Sequence, residues 1–239
     1  MFDAYFDASG HEADSPFVVV AGYVASIIQW KVFEHAWDAT LKRYGITRGF
    51  HATDFMAIPK RAEFKKWEQG NPEAEQFLGE LIACQQVYPV LSISCIVSMS
   101  DYNDVDRRYA IRNIFPPYAL AARVCIAKAS KWAEDHGIKE LECIFEDGDF
   151  GQGKFLHVMR EEGRPIIPKT EAKLKFGALQ AADHLAWEQN QYRKREMRNP
   201  DLPIRGSFNS LLTMPQIHSH FPKDRLEEFC KAKGVQPRE

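Results

Sequence analysis

Asp183 lies in Gln180-Ala181-Ala182-Asp183-His184-Leu185-Ala186-Trp187, a stretch that otherwise reads as a buried helix. At about 100° per residue, Leu179, Ala182, Asp183, Ala186 and Trp187 share one side of that helix. An ionised carboxylate in an apolar stripe is costly unless something pairs with it. The partner can be a structural Arg or Lys, a set of hydrogen-bond donors, or a metal ion. Two more acids stand at places where chemistry is commonly done. Asp7 ends the apolar run Ala4-Tyr5-Phe6 and precedes Ser9-Gly10, and Glu146-Asp147 close the run Glu140 to Phe145. Both sites are predicted at the carboxyl edge of a sheet, where open α/β proteins place their sites. Neighbouring residues of a strand point to opposite sides, so one of Glu146 and Asp147 serves. Glu146 is favoured, because Asp147-Gly148-Asp149 reads as a turn.

Three carboxylates from distant segments repel when they converge. A divalent cation is the usual remedy, and oxygen ligands suit Mg2+ or Mn2+. His51 and Asp54 add a His-x-x-Asp pair between Phe50 and Phe55. On a helix that spacing faces one side, able to supply a metal ligand or a proton carrier; the competing role is a helix N-terminus capped by Thr53 or Asp54. His218-Ser219-His220 has no Cys or Glu cluster beside it and reads as structural. There is no Walker loop, GxSxG elbow, GxGxxG turn or HExxH helix.

Positioning these groups requires a layered domain. The pattern predicts a hairpin from Ala4–Asp7 and the continuous apolar run Phe17–Val24, the latter a central strand buried on both sides. Helices follow over Ile28–Tyr44 and Pro72–Gln86. Val90–Met99 alternates as a strand with one wetter, serine-bearing face. A helix over Pro116–His136, a strand over Glu140–Phe145, a short helix over Gln152–Glu162, a strand within Ile166–Lys175 and a helix over Ala178–Met197 complete the order. Such alternation specifies an α/β domain with a mixed sheet flanked by helices. Asn199-Pro200-Asp201-Leu202-Pro203 marks a break. Residues 1–198 are therefore expected to form the domain, and 199–239 an appendage packed on it with one short helix near Arg225–Lys233.

With 239 residues and 45% hydrophobic content the chain can bury a sizeable core. Five scattered cysteines, none in a CxxC pair, argue against a disulfide framework and suit a reducing cytosol. The opening residues lack the basic and apolar regions of a signal peptide, and no apolar run approaches a membrane span. A cytoplasmic protein is expected. The net charge of -2 does not advertise a nucleic-acid binder, but residues 154–198 carry an excess of Lys and Arg, including Arg164. Lys169, Lys173 and Lys175 immediately precede the Asp183 helix and are the candidates for backbone phosphate contacts. The five tryptophans are spaced as core or interface residues.

Tyr5-Phe6-Asp7-Ala8-Ser9-Gly10, the strand Phe17–Val24, Phe50-His51-Ala52-Thr53-Asp54 and Leu179 to Ala186 occur in an order that resembles the prokaryotic and phage domain-of-unknown-function family 3800. That family is marked by an Asp-Glu-Ser-Gly turn after the first strand and a Gln-x-Ala-Asp helix near the end. The resemblance covers roughly residues 3 to 195 and implies a ribonuclease-H-like fold. It places Asp7 and Asp183 where that superfamily keeps metal-binding acids, with Glu146 as the acid ending the middle strand. Ala8 departs from the Glu that many relatives carry; if that Glu binds metal, either Glu12 or Asp14 substitutes for it here or activity is weakened. The combined expectation is a divalent-metal-dependent phosphodiesterase acting on DNA or RNA. Two ions about 3.5–4 Å apart would be held by Asp7, Glu146, Asp183 and Asp54, with His51 or Asp54 assisting proton transfer. The rival expectation is a catalytically silent binding module for nucleic acid or a protein, its acids satisfied without metal.

Overall fold

The computed structural model describes residues 1–149, 151–161 and 168–238. Arg164 and the first part of the expected strand within Ile166–Lys175 lie outside the described residues. The strands are β1 (Phe2–Ser9), β2 (Phe17–Ser26), β3 (Leu91–Ser98), β4 (Leu141–Glu146), β5 (Lys169–Glu171) and β6 (Gln216–Phe221). The helices are α1 (Ile27–Arg43), α2 (Ala52–Met56), α3 (Pro72–Val87), α4 (Met99–Tyr109), α5 (Pro117–Asp135), α6 (Gln152–Glu161), α7 (Gly177–Arg198), α8 (Gly206–Leu211) and α9 (Lys223–Ala232).

One sheet runs β5-β4-β1-β2-β3-β6. β1, β2 and β3 are antiparallel neighbours, while β4 lies parallel to β1 and β5 parallel to β4. An antiparallel three-stranded unit extended by parallel strands on the β1 side is the ribonuclease-H-like arrangement. β2 sits near the middle and is buried almost end to end, as its unbroken apolar run requires. Its side chains alternate between two cores. Val18, Val20 and Val24 face the layer of α4, α5, α6 and α9; Val19, Ala21 and Tyr23 face that of α1, α3 and α7.

Local signals place the elements. Ser26 and Gln29 form a reciprocal capping box at the start of α1, and Asn71 with Pro72 opens α3. Gly10, at φ +87°, turns the chain out of β1. One expectation is corrected and one helix was missed. The serine face of β3 is not wet: Ser92, Ser94 and Ser98 are all buried, and Ser94 Oγ lies 2.8 Å from His218 Nδ1. The neighbouring strand contributes to this: β6, from residues 199–239, pairs in parallel with the β3 edge and sets His218 beside Ser94. Helix α4 was not legible in the sequence, since its apolar stripe is thin (Met99, Tyr102, Val105 and Tyr109) among charged residues.

Candidate active site

Three segments bring four carboxylates to one end of the sheet. Asp7, on β1, is completely buried, and its Oδ1 accepts the Ala8 N–H at 2.6 Å. Glu146 ends β4, next to β1 in the sheet. The turn after it is pinned by Gln152, whose amide donates to the Glu146 carbonyl (2.5 Å) and accepts from the Gly148 N–H (3.1 Å). That turn carries Asp149 inward and leaves Asp147 exposed. Ligand oxygens of Asp7, Glu146 and Asp149 all lie within 4.8 Å of one another. Asp183, on α7, joins from the adjoining layer.

Lys173 holds the group together. It comes from the 3-10 turn Lys173–Lys175 that leads into α7, and its ammonium stands 2.9 Å from Asp7 Oδ2, 2.9 Å from Glu146 Oε2 and 3.2 Å from Asp183 Oδ1. Its side chain is only 10% exposed. Burial disfavours the charge on Lys173, but Asp7, Asp183 and Glu146 outweigh it, and its pKa is raised. Among the described residues a single ammonium is paired with these acids, which leaves negative charge in excess. Burial raises the pKa of Asp7 well above the carboxylate range; Lys173 opposes the rise, and Asp183 and Glu146 add to it. Burial, then Glu146, pushes Asp149 up to about 7 against the opposing pull of Lys173 and Tyr118. The Tyr118 phenol stands against Asp149, yet both Tyr118 Oη and Asp149 Oδ2 lack a directed hydrogen bond.

The Gln-x-Ala-Asp segment of α7 has a second task. Gln180 and Asp183 lie one turn apart and grip alternate amides, those of Phe50 and Ala52, in the chain entering α2. Gln180 Oε1 accepts from Phe50 N (2.7 Å) and from Trp37 Nε1 (3.0 Å), and Asp183 Oδ2 accepts from Ala52 N (2.6 Å). Gly49 is required here: at φ +82°, a Cβ on it would come within 2.9 Å of the Gln180 amide. The start of α7 is itself capped in space by Glu34 of α1, which accepts from Gly177 N and Ala178 N at 2.8 and 2.9 Å.

Asp7, Glu146 and Asp183 thus converge through Lys173, while other expected residues stand differently. Asp54 is not one of the three acids paired with Lys173; it faces His51, with 3.3 Å between its Oδ2 and His51 Nδ1. The physical reason is that the clamp on Phe50 and Ala52 makes His51 the residue before α2, turning the pair outward to partial exposure. Lys173, expected to touch phosphate, is instead the buried counter-charge. Lys169 pairs with Glu142 at 2.6 Å and Lys175 approaches Glu171 at 3.9 Å; both are exposed. Glu12 cannot freely replace the missing acid at position 8, since Arg112 holds it at 2.6 Å. Asp149 was missed because Asp-Gly-Asp reads as a turn; the signal lay in its position three residues after the strand-end acid. A cavity of about 210 Å3 lies against this edge, bounded by Ala8, His11, Glu12, Tyr118 and Asp149 among others.

No family model matches the chain, and no curated protein matches it. Among solved structures it is similar to the crystal structure of the ribonuclease H2 from Pyrococcus horikoshii OT3, at 12% identity and a TM-score of 0.40, over 98% of this chain and 89% of that one. So distant a likeness carries no weight for activity, and the fold is defined by the strand order and directions of the sheet itself. Among the described residues, no helix is long and apolar enough to cross a membrane.

Proposed function

We propose that the chain is a divalent-metal-dependent phosphodiesterase acting on nucleic acid, a ribonuclease-H-like relative of the domain-of-unknown-function family its motifs resemble. The observation that carries this reading is the charge imbalance at the sheet edge: Asp7, Glu146 and Asp183 share one buried ammonium, and Asp149 lies beside Asp7 and Glu146 without an ion pair to it. An all-carboxylate donor set with an orphaned oxygen on Asp149 fits hard cations such as Mg2+ or Mn2+. Asp7, Glu146, Asp149 and Asp183 would hold the cation. Two such ions, when bound, supply an activated water and stabilise the leaving oxygen. The chain's own contribution is rigidity and proton handling. The α7 clamp holds Asp183 and keeps His51 at the rim, where its ring, steadied by Asp54, carries the proton. Exposed Lys169 and Lys175 are the candidates for contacts to backbone phosphates.

A second reading is favoured by Lys173 itself: a catalytically silent module whose acids are balanced by that ammonium. Calorimetric titration with Mn2+ and incubation with labelled single- and double-stranded DNA and RNA separate the two. The hydrolase binds Mn2+ and cleaves, and Asp7→Asn or Asp183→Asn lowers the rate on the order of 100-fold or more. Cleavage unchanged in both variants removes the assignment; no Mn2+ binding at the acids leaves the silent module.

A further inference from the structure

The acids and their ammonium differ in how firmly the chain holds them. Asp7 stands on β1, inside the sheet, with Oδ1 on the Ala8 N–H. Asp183 stands on α7, with Oδ2 on the Ala52 N–H. Glu146 ends β4, and Gln152 pins the turn that follows it. Each acid thus rides on an element fixed by other parts of the fold. Lys173 rides on the short 3-10 turn Lys173–Lys175, none of whose residues is buried, and Leu174 in that turn is 63% exposed. Its ammonium ends a flexible stem that reaches inward from the surface. The lysine is therefore the participant that can withdraw without disturbing the sheet or α7.

The ammonium stands where a bound cation would. Three oxygens from three remote segments surround it, at 2.9, 2.9 and 3.2 Å. The contact to Asp183 is a directed hydrogen bond. Asp7 is completely buried, yet its Oδ2 takes no directed hydrogen bond, so charge rather than hydrogen-bond geometry holds that contact. Carboxylate oxygens gathered around a positive point suit a hard divalent ion as well as an ammonium. The two cannot share the place, because cations so close repel strongly where water is scarce. Asp149 adds an Oδ2 that is buried without a hydrogen-bond partner, and Asp7, Glu146 and Asp149 offer oxygens within 4.8 Å of one another.

We propose that Lys173 is a resident stand-in for a divalent ion: its ammonium fills the cation position between Asp7, Glu146 and Asp183, and an ion enters that position only by displacing it. The inference rests on the metal-dependent reading above and deepens it. Metal then loads in two unequal steps. Asp7, Glu146 and Asp149 take the first ion, and the second waits on withdrawal of the lysine. Because the Lys173 side chain is only 10% exposed, its withdrawal carries the turn with it. The bonds from Lys175 N to Ala172 O (3.0 Å) and from Phe176 N to Lys173 O (3.2 Å) loosen as a result. An ammonium with a purely structural role has neither consequence.

Calorimetric titration with Mn2+ of wild type and variants, joined to hydrogen exchange of the wild type, tests this. Lys173→Met is expected to bind the second ion about ten-fold or more tightly than wild type, since the competing charge is gone. Lys173→Arg, which keeps the charge, is expected to show no such gain. In wild type the Lys175 and Phe176 amides should exchange several-fold faster in saturating Mn2+ than in EDTA, while the Phe50 and Ala52 amides keep their protection. Equal Mn2+ stoichiometry and affinity in wild type and Lys173→Met overturns the stand-in. Should that variant fail to fold, unchanged exchange at Lys175 and Phe176 in Mn2+-saturated wild type overturns it instead. Mn2+ bound by Lys173→Met but not by wild type supports the stand-in and leaves the wild-type protein a silent module. Two-step binding without cleavage of DNA or RNA supports the stand-in and removes the hydrolase. If neither protein binds Mn2+, both readings fall.

Discussion

Lys173 and Asp149 decide the electrostatics of the site, and each yields a measurable consequence. Replacing Lys173 by Met strips the buried acids of their one ammonium, which should cost about 3–5 kcal/mol in EDTA. If the acids are a metal site, saturating Mn2+ restores most of that loss in thermal denaturation. An EDTA melting temperature equal to wild type would show that the ammonium is not their counter-charge. The pH dependence of Asp149 has a definite sign. Its folded pKa of about 7 exceeds the ordinary aspartate value of 3.8, so the folded state holds the proton more tightly. The unfavourable contribution therefore appears as pH rises through that window and is complete above it. Metal-free Asp149→Asn should gain stability relative to wild type from pH 3.8 to about 7, on the order of 2 kcal/mol, and then level off. A difference that is flat with pH contradicts the raised pKa.

Helix α7 acts as both ligand support and clamp, and the two duties can be separated. Gln180→Ala removes the acceptor of Phe50 N and Trp37 Nε1, both buried donors, at a cost of about 1–3 kcal/mol by chemical denaturation. Hydrogen exchange should speed at the Phe50 and Ala52 amides before the central strands are affected. Protection unchanged at those amides would mean that α2 is held by packing alone. The clamp also explains why a Gln and an Asp are buried one turn apart in α7. The motif was visible in the sequence, but its grip on residues 50–52 was not, because those residues lie roughly 130 positions away.

Across the whole molecule, the C-terminal residues are part of the architecture. β6 completes the sheet beside β3, and Leu226 and Cys230 of α9 are buried in the core that faces α4 and α5. Truncation before β6 would expose the β3 edge and uncover that core, so the shortened chain is expected to aggregate. Leu226→Ala alone should cost about 2–5 kcal/mol in urea denaturation. A truncated protein that stays monomeric by light scattering would show that the sheet closes without β6.

Periodicity and the unbroken run Phe17–Val24 made the α/β layering, the central strand and the buried Asp183 legible in the sequence alone. These follow from local rules, since burial on two faces or one leaves its mark within a few residues. The partners of the acids were not legible. Lys173 reads like any surface lysine beside Lys175, and Asp149 like any turn residue. Only the sheet order, which sets β1 against β4 and folds the Lys173 turn and α7 over their end, makes one a buried counter-charge and the other a candidate ligand. Electrostatic pairing acts through space, and the distance that governs it is created by folding.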